Sequence, residues 1–142
     1  MPSGRRRTPP EPVFFLDRGL GRYAVADAIR SHGFEVVRMF EVYPHGEDQR
    51  IGDDEWIARA SEENWIALTK DDAIRREHPA ALAASRLRVF ALNNANLTGD
   101  QMAERYLRHL NRIVQRAKAP GPYVYVVSAA GLELRWHPQR HE

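Results

Sequence analysis

The chain has 142 residues, 43% hydrophobic and 28% charged, with a net charge of +2. That is enough for one domain with a real core, and too little net charge to declare a partner. Cysteine is absent, which excludes disulfides and thiolate metal sites. No apolar run approaches the roughly 20 residues that span a bilayer, and no apolar stretch follows the basic start Met1-Pro2-Ser3-Gly4-Arg5-Arg6-Arg7. The expectation is a cytoplasmic protein without a membrane anchor or secretory signal.

Residues 1–12, with Arg5-Arg6-Arg7 and Pro9-Pro10-Glu11-Pro12, cannot pack a core. They read as a flexible basic arm, either a plain leader or a contact for RNA or an acidic partner. One domain is expected over 13–137, with a tail at 138–142. Val13-Phe14-Phe15-Leu16 reads as a buried strand ending at Asp17, after which Gly19 and Gly21 break the pattern. Residues 22–32 read as a helix capped by Gly33, and Phe34-Glu35-Val36-Val37 as a second strand.

A long connection over 39–52, turning at Tyr43-Pro44-His45-Gly46, leads to a helix that opens on Asp53-Asp54-Glu55 and closes near Asn64. Trp65–Thr69 is the third strand, 72–85 short helical pieces around Pro79, and Leu87–Ala91 the fourth strand. Thr98 and Gln101 form a capping box for one helix over 99–118, with Met102, Tyr106, Leu110, Ile113 and Ala117 on its apolar side. Pro120-Gly121-Pro122 stops it, and Tyr123–Val127 and Leu132–Trp136 are two last strands, a hairpin or sheet edge. The order β-α-β-α-β-α-β-α-β-β predicts a three-layer α/β sandwich around a largely parallel sheet.

In such a sheet, ligands bind outside the carboxyl ends of the strands. Asp17 follows strand one there, and Asp71 and Asp72 follow strand three. Asp53 and Asp54 start the helix that runs back from the same rim. Gathered carboxylates repel unless a cation or protons intervene, and Mg²⁺ or Mn²⁺ prefers such oxygen ligands. Each acid also has a plainer reading: Asp53 or Asp54, and Asp71 or Asp72, as helix caps, and Asp17 as a turn residue.

The segments "FFLD", "DDEWIARA" and "NWIALTKDD" together resemble PIN-like domains, the PilT N-terminus nuclease superfamily, and within it the VapC-type toxins and the Mut7-C-like group. The resemblance runs over residues 13–96 and fits 97–136 loosely. It implies a Mg²⁺- or Mn²⁺-dependent endoribonuclease, the toxin of a toxin–antitoxin pair. RNA and a cognate antitoxin protein would be its partners, and a homodimer is a further expectation. By motif position Asp17, Asp53 and Asp71 are the catalytic acids, with Asp54 and Asp72 as competing metal ligands. Thr69 would orient a carboxylate or a water. One departure stands out: where many PIN nucleases carry a further acid, this chain has Leu92-Asn93-Asn94-Ala95-Asn96.

Substrate phosphates need cations beside the acids. Arg18, Lys70, Arg75 and Arg76 lie next to them in sequence, and Asn94 can hold a water or a phosphate. Arg105, Arg108, Arg112 and Arg116 share a helix face, either solvated or a phosphate track. Trp56 and Trp65 fit core positions. His45, His78 and His109 show no metal-ligand spacing, and Pro138 argues against a helical pairing of His137 with His141. Two rivals remain. One is a PIN-like binding module without catalysis, favoured by the missing acid. The other is a receiver or phosphatase-type phosphotransfer domain. "FLDRG" lacks that phosphatase's second aspartate, and "VYVVS" lacks the receiver's lysine.

Overall fold

The computed structural model describes residues 12–138. Of the expected arm and tail, all but Pro12 and Pro138 lie outside the described residues. Six strands form one sheet: β1 (Val13–Leu16), β2 (Glu35–Arg38), β3 (Ile66–Thr69), β4 (Arg88–Leu92), β5 (Tyr123–Val127) and β6 (Leu132–Trp136). Their order is β2-β1-β3-β4-β5-β6. Every neighbouring pair is parallel except β5–β6, the expected hairpin at the edge.

Alternation along the strands divides the core in two, because successive side chains leave a strand on opposite faces. Phe14, Leu16, Ile66, Leu68, Phe90 and Leu92 face one side. There they meet helices α1 (Ala24–Arg30), α6 (Gly99–Arg108) and α7 (Leu110–Arg116). Phe15, Ala67, Val89 and Ala91 face the other, packed with Trp56, Ile57 and Ala60 of α3 (Asp53–Glu62), Ile74 of α4 (Ile74–Glu77) and Leu82 of α5 (Pro79–Ala83). The three-layer sandwich is therefore present. All three tryptophans serve this second layer: Trp56 is fully buried, Trp65 stacks on Phe15 at 5.6 Å, and Trp136 packs in the same cluster.

Several boundaries differ from expectation for physical reasons. The helix expected over 99–118 is two, because the His109 N–H bonds the Tyr106 carbonyl three residues back. One tightened turn leaves the apolar period intact, so the break is invisible in the pattern. The connection over 39–52 is not bare: it holds the single turn α2 (Met39–Val42) and a 3₁₀ turn at Glu47–Gln49. A 3₁₀ turn, Arg18–Leu20, also follows Asp17 at once, where the glycines predict only a break. The helix expected over 22–32 shortens to α1. Gly33 (φ 90°) and Asn64 (φ 61°) take the left-handed conformation expected just past a helix end.

Register carries the site. Leu16 of β1 pairs with Leu68 of β3 and Arg38 of β2, so these three strands end level. The chain leaves β1 in one direction towards β2, while β3 lies on its other side, which makes the end of β1 the switch point where open sheets form a crevice. Asp17 is the first residue beyond it.

Candidate metal centre at the switch point

Asp17 is fixed on both carboxylate oxygens. Oδ1 accepts the Gly19 N–H at 2.9 Å and Oδ2 the Thr69 hydroxyl at 2.6 Å, while its own N–H continues the sheet to the Leu68 carbonyl at 3.2 Å. The residue keeps some exposed surface, but the carboxyl is sunk among its neighbours. That desolvation raises its pKa above the ordinary value, against the opposing pull of the two hydrogen bonds, and the charge of Asp53 adds to the rise. Below it, Tyr106 Oη lies 2.8 Å from the Phe90 carbonyl and 3.0 Å from that of Thr69. The phenol is wholly buried, and burial followed by the charge of Asp17 pushes its pKa well up, so it stays a neutral donor. It ties α6 to the ends of β3 and β4 and so holds the backbone of Thr69, whose hydroxyl holds Asp17.

Asp53 opens α3, where the helix dipole favours an acid. It is held differently: Oδ1 accepts the Trp56 indole N–H at 2.8 Å, and Oδ2 lies 3.1 Å from His78 Nε2. The other ring nitrogen of His78, Nδ1, lies 2.9 Å from Asp54 Oδ1. His78 thus spans both acids of the helix start from the junction of α4 and α5. Ligand atoms of Asp53, Glu77 and His78 lie within 4.8 Å of one another. Sequence spacing could not reveal this, because His78 belongs to a different element; the Pro79 that starts α5 is what sets its position. Asp54 itself is largely exposed, and Asp53 is the acid whose charge reaches Asp17.

The "KDD" acids stand otherwise. Asp71 is exposed, and one oxygen accepts the Ala73 N–H at 2.9 Å, which closes the turn into α4. Asp72 pairs with Arg75 at 3.3 Å and Arg76 at 3.9 Å. Arg75 is thereby drawn to Asp72. The stem of Lys70 covers Gly19: a Cβ there would meet Lys70 Cγ and Cδ at 3.2 Å and Asp17 Oδ1 at 3.3 Å. Arg18 bonds the Asp48 carbonyl and, at 3.2 Å, the Ile51 carbonyl, clasping the 39–52 connection to the end of β1. Asn94 accepts the Asn96 N–H at 2.9 Å and Asn93 accepts from Arg105 at 3.2 Å. No carboxylate stands in that stretch.

The family model described as a PIN like domain matches residues 12–94, the span that carries Asp17, Asp53, Thr69 and Asp71. The chain belongs to the PIN-like domain family. A Mycobacterium tuberculosis protein named "Putative ribonuclease VapC45" is 35% identical over 115 residues, covering 80% of this chain and 83% of that protein. No solved structure matches. In this PIN-like domain the donors near the switch point are carboxylates and a hydroxyl. Such oxygens are the ligands a hard divalent cation takes; among the described residues, the acid and imidazole atoms that lie within 4.8 Å of one another are those of Asp53, Glu77 and His78, and Asp17 and Asp71 stand outside that group.

Proposed function

We propose that this PIN-like domain is a divalent-metal-dependent endoribonuclease and the toxin of a toxin–antitoxin pair, acting in the cytoplasm on RNA. The observation that carries the reading is Asp17, a desolvated carboxylate held on both oxygens at the sheet's switch point, within reach of the charge of Asp53. Desolvating a charge without a salt-bridge partner destabilises a fold, so its retention here points to chemistry. The relative's name supports the substrate class, and its VapC designation supports an antitoxin partner.

Asp17 and Asp53 would hold Mg²⁺ or Mn²⁺, with Asp71 as third ligand through the oxygen that Ala73 leaves free. Such an ion supplies charge stabilisation at a phosphate undergoing in-line displacement and lowers the pKa of water. The chain's own groups do the positioning. Gly19 and Thr69 fix Asp17, Trp56 and His78 fix Asp53, and such outer partners set ligand orientation. Lys70, lying over Gly19, is placed for a phosphate of the bound strand. Arg75, Asn94 and Arg18 act one step back, each through the contact already described.

The test is cleavage of end-labelled single-stranded RNA by the purified chain with Mn²⁺ or Mg²⁺ and with chelator. Cleavage that needs the ion and disappears in Asp17→Asn, with folding intact by circular dichroism, supports the reading. Undiminished cleavage by Asp17→Asn overturns it.

A further inference from the structure

The cleft that opens beside Asp17 on the β2 side has a wall that the catalytic reading leaves unused. It is lined by Asp17, Arg18, Arg22, Phe40, Asp48 and Gln49, among others, and its volume is about 50 Å³. Phe40, the second residue of α2, stands half-buried in this wall. Two guanidinium groups lie over its ring, Arg22 at 4.1 Å and Arg38 at 4.7 Å from the centroid.

The two arginines differ in one respect. Arg38 is satisfied: it pairs with Glu41 at 3.1 Å and donates to the Arg22 carbonyl at 2.8 Å. Arg22 makes no hydrogen bond or ion pair through its side chain with any of the described residues; the ring is its contact. A guanidinium resting on an aromatic face is partly ordered before it binds and so loses less freedom on binding an anion. The charge balance agrees. Arg18 and Arg22 offset Asp17 and Asp48 in the cleft, and a divalent ion at Asp17 would leave it net positive. Arg18 bonds the Asp48 carbonyl and Asp48 accepts from Gln49, so Arg22 is the lining arginine whose N–H groups have no hydrogen-bond partner among the described residues.

Resting on the ribonuclease reading, we propose that Arg22, braced on Phe40, forms a subsite for an RNA phosphodiester next to the one cut, on the β2 side of Asp17. The strand would then run from Lys70 across Asp17 to Arg22, with Arg22 holding its register by charge rather than by base identity.

Anisotropy of a fluorescein-labelled single-stranded RNA, titrated across salt concentrations, tests this. The Asp17→Asn chain is the parent, since it keeps the RNA intact and frees the cleft of one negative charge. Adding Arg22→Gln should weaken binding about five- to tenfold and flatten the slope of log K against log salt by about 0.7, one phosphate contact on a single strand. Arg22→Lys should keep the slope while losing part of the affinity. Phe40→Leu should fall between parent and Arg22→Gln. Arg59→Gln, an exposed arginine paired with Glu63 at the far end of α3, should match the parent. Parent-like affinity and slope in Arg22→Gln, with its melting temperature unchanged, overturns the subsite. If the wild-type chain cuts RNA while Arg22→Gln binds like its parent, the subsite alone falls. If the wild-type chain neither binds nor cuts RNA, the ribonuclease reading falls with it.

Discussion

Two acidic corners of the rim, Asp17 after β1 and Asp71-Asp72 after β3, look alike in sequence and differ in the fold. Asp71 caps a turn and Asp72 holds two arginines, so both have local structural work, at or near the surface. Asp17 also accepts a turn N–H, from Gly19, but its second oxygen is held from 52 residues away by Thr69, and its carboxyl is desolvated. A surface acid that caps or pairs adds little stability, and its local contact already gives it a structural reason. A sunken acid with only neutral partners asks for a further one. The contrast ranks Asp17, whose burial no turn accounts for, above Asp71, which the turn explains in part and which keeps one oxygen for a ligand's role on the proposed reading.

The sharpest way to break that contrast is Asp17→Asn. On the proposed reading, it removes a charge that holds the metal and with it several kcal/mol of transition-state stabilisation, about 10²- to 10⁴-fold in rate. The same substitution should raise the melting temperature of the metal-free chain at neutral pH. The sign follows from the raised pKa: folded Asp17 holds its proton to higher pH than unfolded Asp17, so its contribution is intact below the unfolded value and is lost as pH rises through the folded one. A melting temperature measured in chelator should therefore fall more steeply with rising pH in the wild type than in Asp17→Asn. Equal slopes would contradict the burial of this carboxyl.

Thr69→Val comes next. It keeps the shape and removes the donor to Oδ2, so activity should drop about 10- to 100-fold, the usual effect of losing an outer partner of a ligand. Wild-type rates in that variant would mean Thr69 does not orient Asp17. Asp71→Asn and Asp72→Asn then divide the other corner. The amide oxygen introduced by Asp71→Asn can still accept the Ala73 N–H, so the turn is kept. A fall of about tenfold or more in activity without loss of stability therefore marks Asp71 as a ligand. Asp72→Asn should stay within about threefold in rate and lower stability by at most about 1 kcal/mol, the worth of a partly exposed pair. If Asp72→Asn is the more damaging in a cleavage assay, the roles of the two acids are exchanged.

Strand alternation and turn chemistry are local signals, and they were enough for the sandwich, the edge hairpin, the helix end at Asn64, the cap at Thr98, and the order of the acids along the chain, though α1 stops at Arg30 with Ser31 as its cap rather than at Gly33. Their limits were also local. The break at His109 left the apolar period undisturbed, and the turns at Arg18–Leu20 and Glu47–Gln49 are too short to show a period. The sequence by itself determined which acids could stand at the ends of β1 and β3 and the start of α3. Tertiary structure decided what each of them does, because desolvation and hydrogen-bond partners come from distant elements. Thr69 reaches Asp17 across the sheet, His78 reaches Asp53 and Asp54 from the α4–α5 junction, and Phe40 braces Arg22 from α2, just past the end of β2. No spacing along the chain encodes those meetings; the register of β1 against β2 and β3 does.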